Sequence, residues 1–183
     1  MVMNKQGILF MCMRSSSFPL LNIGHVYPLF WPLRNTRQLY SEYFAPKLVD
    51  ISAYCKGRKV ILVGLPGAFT PTWSIDKVPG YLKAQDALKS DGVGEVVVCY
   101  ITNCAVMKAW GMDQSIEGSM ITFMGNPATE FTSDLDMKMT HPGTISVGII
   151  GRCKRCAIYV EDSVVNNFAI SESDDDPAGN EDP

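Results

Sequence analysis

Histidine is almost absent: the 183 residues hold two, His25 and His141, neither beside a cysteine pair, so a four-ligand zinc site has little to draw on. No apolar stretch approaches the roughly 18–20 uninterrupted residues that span a bilayer, and no membrane association is expected. The glycines that follow the first apolar run, Gly64, Gly67 and Gly80, have the wrong spacing for a P-loop or a dinucleotide fingerprint. No cofactor and no metal is therefore implied. Surplus positive charge is missing as well, since the formal charge of -3 excludes a generally basic nucleic-acid binder. Six cysteines, Cys12, Cys55, Cys99, Cys104, Cys153 and Cys156, are too sparse and irregular for a secreted disulfide scaffold and fit a reducing compartment.

What is present folds. Hydrophobic residues make up 46% and charged residues 19%, well inside the globular class, and the length suits one domain with some tail. The charge is unevenly spread. Residues 1–41 carry Lys5, Arg14, Arg34 and Arg37 with no acid; residues 42–170 carry 12 basic and 13 acidic groups; residues 171–183 carry six acids and no base. The head, with its serine triplet and prolines, has the composition of an organellar transit segment for a mitochondrion or plastid, the plainer alternative being an untidy amino terminus on a cytoplasmic protein. The tail has no apolar residue larger than Ala178 and is expected to stay solvated. The expected division is a leader over 1–41, a domain over 42–170 and an acidic tail over 171–183.

Residues 59–65 (KVILVGL) and 95–101 (EVVVCYI) are β-branched apolar runs, the pattern of strands covered on both faces. Between them, residues 74–90 predict a helix interrupted at Pro79-Gly80, with Tyr81, Ala84 and Leu88 on its inner face and Gly92 ending it. A helix over 105–116 would bury Val106, Ala109 and Trp110, followed by a short strand at 120–124 and a short helix at 128–137. Residues 144–150, 156–160 and 164–170 then suggest three strands. Alternating strands and helices followed by a meander predict a mixed central sheet flanked by helices, an α/β fold of thioredoxin-like order.

The informative segment is LPGAFTPTWSIDKVPGY, residues 65–81. It resembles the signature of the type II, or atypical two-cysteine, peroxiredoxins, which runs Pro-x-x-x-Thr-x-x-Cys inside PGAFTPTCS. Pro66 to Thr72, Ser74, Val78, Pro79 and Gly80 match, and Trp73 stands where that family has its cysteine. Asn103 in YITNC, Lys108-Ala109-Trp110, the Arg152 to Arg155 run and Tyr159 to Asp162 carry further resemblance, which covers about residues 48–183. It implies thiol-dependent reduction of hydrogen peroxide and organic hydroperoxides. A thiolate at a helix start would attack the O–O bond while Pro66, Thr70 and Arg155 frame and polarise the peroxide. It also implies Cys99 as a possible second cysteine, thioredoxin or glutaredoxin as reductant, and a dimer surface that could pair the chain with itself or with an active paralogue.

An indole has one N–H donor and no ionisable sulfur, so Trp73 cannot serve as that nucleophile. The expectation is a peroxiredoxin-type protein without direct peroxidase activity. Two other readings stand beside it: an active peroxidase whose true residue 73 is cysteine, one base away, and an interaction module that keeps the fold. Among the remaining thiols, Cys99 is expected in an apolar setting that raises its pKa, and Cys104 at a helix start without a peroxide pocket. Cys153 and Cys156, if on a strand, would face opposite sides and form no redox pair. Against the family pattern, the chain replaces the opening strand pair and stops at Pro183 before the closing helix, so a domain of low melting temperature is expected.

Overall fold

The computed structural model describes residues 25–27, 31–32, 38–41, 47–140, 142–146, 148 and 150–171. Their strands are β1 (His25–Tyr27), β2 (Trp31–Pro32), β3 (Gln38–Ser41), β4 (Lys47–Asp50), β5 (Lys59–Gly64), β6 (Glu95–Tyr100), β7 (Ile121–Gly125), β8 (Arg155–Glu161) and β9 (Val164–Ser171). Helices α1 (Ile51–Tyr54), α2 (Val78–Ser90), α3 (Cys104–Asp113), α4 (Glu130–Asp134) and α5 (Pro142–Ser146) connect them, with a π-helical turn at Thr72–Lys77 leading into α2. The described strands form one mixed sheet in the order β1-β9-β8-β5-β6-β7-β3-β4, with β2 also pairing β9. Strands β5, β6 and β7 run parallel and the flanking pairs antiparallel, which is the thioredoxin-like α/β fold.

Strand periodicity divides the interior in two, because successive side chains leave opposite faces. On one face Ile61 and Val63 of β5, Val96 and Val98 of β6, and Ala157 and Tyr159 of β8 pack with Tyr81, Ala84 and Leu88 of α2 and with Met107 and Trp110 of α3. On the other, Val60 and Leu62, Val97 and Cys99, and Cys156, Ile158 and Val160 pack with Leu39, Ile51, Phe131, Met137 and Cys153. Cover on both sides explains why β5 and β6 read as unbroken apolar runs.

Several elements differ from expectation. An antiparallel strand pair, β3 with β4, stands where the opening pair was expected to be replaced, and the expected boundary at residue 41 falls at the end of β3. Residues 25–27 and 31–32 of the expected leader pair with β9 at the sheet edge, while the rest of the head and residues 172–183, with the expected acidic tail and missing closing helix, lie outside the described residues. Pro79-Gly80 does not interrupt the helix. Proline has no N–H for the preceding turn, so the ladder changes from π to α and Pro79 sits in the first turn of α2, where that loss is harmless. In α3 the buried positions are Cys104, Met107, Trp110 and Gly111, with Ala109 exposed. None of the described residues of 144–150 is in a strand; Pro142–Ser146 is a short helix, and Ile145 and Ile150 are exposed. No helix among the described residues is long and apolar enough to cross a membrane.

Candidate functional site

Strand β5 ends at Gly64, and the chain leaves its carboxyl end through Leu65 and Pro66, the position where ligand sites gather in sheets of this kind. The loop is drawn tight by its own hydrogen bonds. Thr70 Oγ1 donates to the Gly67 carbonyl at 3.1 Å, and the Thr70 carbonyl accepts from the N–H groups of Trp73 at 3.1 Å and Ser74 at 3.0 Å. Phe69 holds a left-handed backbone at φ 59°, costly for an aromatic residue and of the kind that a surrounding site must enforce. From there the π turn carries Trp73, whose carbonyl accepts from Val78, inward until only 4% of the side chain is exposed.

Arg155 approaches the same place from β8. Odd-numbered positions of that strand face the Trp73 core, so Arg155 lies with Ala157 and Tyr159, 3% exposed, its guanidinium carbon 5.8 Å above the Trp73 ring. That distance is within cation–π range. Lys77, half-buried one turn further on, is held below its ordinary pKa by burial and then by the positive charge of Arg155. The site is thus electropositive around a neutral indole. Ser74 fixes its floor, accepting a hydrogen bond from Nε1 of the wholly buried Trp110 at 3.0 Å. Arg152 closes the other side: its Nη1 donates to the Pro66 carbonyl at 3.0 Å and its guanidinium lies 5.8 Å over the Tyr100 ring.

The structure therefore brings Pro66, Thr70, Trp73 and Arg155 together and leaves Cys99 out. Cys99 is on the opposite face of β6 from the Trp73 core, its Sγ 3.4 Å from the Val63 carbonyl to which it donates, and burial pushes its thiol well above the ordinary range. Sequence reasoning missed Lys77 and Arg152. The signal for Arg152 was its place three residues before Arg155; for Lys77 there was none, because only the π turn directs it to Arg155. Chemically the arrangement can polarise an oxygen substituent, but the group at its centre cannot attack one.

The cysteine pair is also placed differently. Cys153 lies before β8 begins, bridged to Lys138, and both it and Cys156 belong to the core on the far face. The alternation that would separate positions i and i+3 does not apply across a strand entrance. Their sulfurs meet beside Gly64. Among the described residues no group of three or more His, Cys, Asp or Glu side chains is arranged to hold a metal ion.

The sequence matches the Redoxin family over residues 39–180. It is 32% identical over 165 residues to Peroxiredoxin-2B of Arabidopsis thaliana, spanning 84% of this chain and 94% of that one. To Peroxiredoxin-2E, chloroplastic, of the same plant it is 35% identical over 127 residues, or 69% of this chain and 53% of that one. Among solved structures, reduced Prx3 of Vibrio vulnificus in complex with H2O2 superposes with a TM-score of 0.71 at 29% identity, over 81% of this chain and 90% of that one. The 1-Cys peroxiredoxin antioxidant protein of Plasmodium falciparum gives the same TM-score at 21% identity, over 85% of this chain and 89% of that one, a likeness of fold alone.

Proposed function

The chain belongs to the redoxin family and within it to the peroxiredoxins, and on that premise we propose that Trp73 occupies the place of the family's attacking cysteine, leaving a protein that does not itself turn over hydroperoxides. The carrying observation is the contact between Arg155 and Trp73. In the peroxiredoxin arrangement the arginine serves an anionic sulfur and the peroxide oxygen it attacks; here its guanidinium lies over an indole that fills the space. Pro66 and Thr70 keep the framing loop, so the pocket retains its polarising parts and lacks the part that reacts. Cys99 does not replace it, because the sheet separates that sulfur from the Trp73 face.

The reductant on this reading is a thioredoxin or glutaredoxin, and the substrate of the ancestral site a hydroperoxide. Full-length protein supplied with hydrogen peroxide and either reductant system should show no reductant-dependent turnover at rates typical of the family, and Trp73→Cys should acquire it. Turnover by the unaltered chain at rates typical of the family would overturn the reading.

A second reading, an interaction module that pairs with a copy of itself or with an active paralogue, is favoured by the exposure of Phe69 and Ile75 beside the motif, 51% and 71%. A dimer by light scattering that Ile75→Glu disperses would support it; a monomer throughout would not. The organellar address belongs to the same set of proposals, and one relative is a chloroplastic peroxiredoxin. A fluorescent protein fused behind residues 1–41 should enter a plastid or mitochondrion, and diffuse cytoplasmic signal would count against it.

A further inference from the structure

Gly64 is the last residue of the central strand and has no side chain, and two thiols fill the space this leaves, with a third cysteine on the neighbouring strand. Cys99 of β6 and Cys156 of β8 are its in-register partners on either side. A Cβ built on Gly64 would stand 2.6 Å from the Cys153 sulfur and 2.7 Å from the Cys156 sulfur, so these two occupy the vacant volume together. The two thiols interact with each other there, and Thr132 lies against Cys153. Both cysteines are all but fully buried, and both are free.

We propose that Cys153 and Cys156 are a redox site of their own, closing to an intramolecular disulfide when a small hydroperoxide reaches them. Topology selects this pair. Neighbouring strands lie about 4.8 Å apart, so Cys99 and Cys156, on opposite sides of Gly64, are separated by about 9–10 Å at Cα, beyond the roughly 7 Å that a disulfide tolerates. Cys153, folded back over the entrance of β8, already has its sulfur against its partner. The proposal does not rest on the reading of Trp73, which lies on the other face of the sheet.

The contact between the two thiols distinguishes them: Cys156 is eased toward ionisation by the neighbouring Cys153, while Cys153 is held protonated, by Cys156 first and by burial second. The Cys156 thiolate attacks one peroxide oxygen. An S–O bond forms, the O–O bond breaks, and the departing hydroxide takes the Cys153 proton to become water. The Cys153 thiolate then attacks the sulfenic sulfur of Cys156; the S–S bond forms, and the second hydroxide leaves and is protonated by solvent with the proton that Cys156 first released. Two thiols lose two electrons and one hydrogen peroxide becomes two waters. Burial makes this a slow event, one per chain, gated by local opening of the segment that covers Cys153.

The test uses the full chain, reduced and then exposed natively to hydrogen peroxide, alkylated and digested with trypsin. Lys154 and Arg155 lie between the two cysteines, so cleavage leaves Cys153 and Cys156 in separate peptides joined only by the disulfide. Expected are loss of two of the six thiols, a Cys153–Cys156 linked peptide, full recovery with dithiothreitol, and the same link in Cys99→Ala. Retention of all six thiols after prolonged exposure, or a link that runs through Cys99, overturns the proposal. Cys153→Ala must lose the linked peptide; where that variant fails to fold, the unaltered chain and Cys99→Ala decide.

Discussion

The guanidinium of Arg155 on β8 lies 5.8 Å over the ring of Trp73 in the π turn, both side chains buried. Trp73→Cys should therefore change two things at once. It places a thiol beneath a cation at a helix start, so the cysteine should ionise more readily than a free thiol and react with hydrogen peroxide. Truncating a buried tryptophan also opens a cavity, with a cost of about 3–5 kcal/mol. Stopped-flow peroxide kinetics and urea unfolding would read the two effects separately. Adding Arg155→Gln to Trp73→Cys should remove most of the gained reactivity, and equal reactivity with and without the arginine would show that Arg155 does not serve this position.

Ser74 and Trp110 connect the motif loop to α3. The Trp110 indole is wholly buried and donates to Ser74 Oγ at 3.0 Å. Ser74→Ala should leave that N–H unpaired inside the core, destabilising the fold by about 1–3 kcal/mol. The urea midpoint is expected to fall with an unchanged slope. A midpoint equal to that of the parent would mean that Trp110 finds another acceptor.

Much of this site was legible from residues 65–81, because its members are neighbours in sequence and the loop that joins them is built from turn residues with one conformational use each. Arg155 was legible only through family resemblance, and Arg152, which holds the Pro66 carbonyl, only as a member of the same resembling run. The faces of the sheet explain the misses. Parity along β6 shows that Cys99 and Val97 share a side, but nothing local says which side the Thr70 loop will close over; that is set when α2 and α3 pack. Cys153 was misjudged for a related reason, since strand alternation was extended two residues past the strand's real beginning at Arg155. Residues 144–150 were misjudged because β-branched composition describes a strand only when a neighbour pairs with it, and residues 142–146 close into a short helix instead.

Gly64→Ala tests how tightly the Cys153 and Cys156 thiols are packed. The added methyl would meet the Cys153 and Cys156 sulfurs at 2.6 and 2.7 Å, closer than real carbon–sulfur contacts allow. Strand β8 or the Cys153 segment must move, at a cost of about 1–3 kcal/mol for overpacking. Thermal unfolding should shift down, and displacing the pair should raise the alkylation rate of Cys153. An unshifted transition would show that the segment over Gly64 yields freely.

The fold should weaken in alkali. Burial is the largest influence on Cys55 and pushes its thiol from 9.0 up to about 12, with Arg58 opposing and Glu95 assisting. Burial, then Glu161, pushes Tyr159 from 10.0 up to about 12, and Cys99 is raised by burial as well. The folded state favours the protonated form of each, so their contribution is complete below about pH 9 and is lost as pH climbs toward 12. Lys77 acts in the other sense, since its lowered pKa lets the unfolded chain hold a proton that the folded one releases, and the Cys153–Cys156 pair shifts its two thiols in opposite directions. Three raised groups outweigh one lowered lysine that is only half-buried. Urea midpoints are expected to fall between about pH 8 and pH 10.5, and Cys55→Ala should reduce the difference, because the thiol whose ionisation opposes folding is gone. A midpoint that holds or rises across that interval would mean that these groups reach solvent in the folded chain.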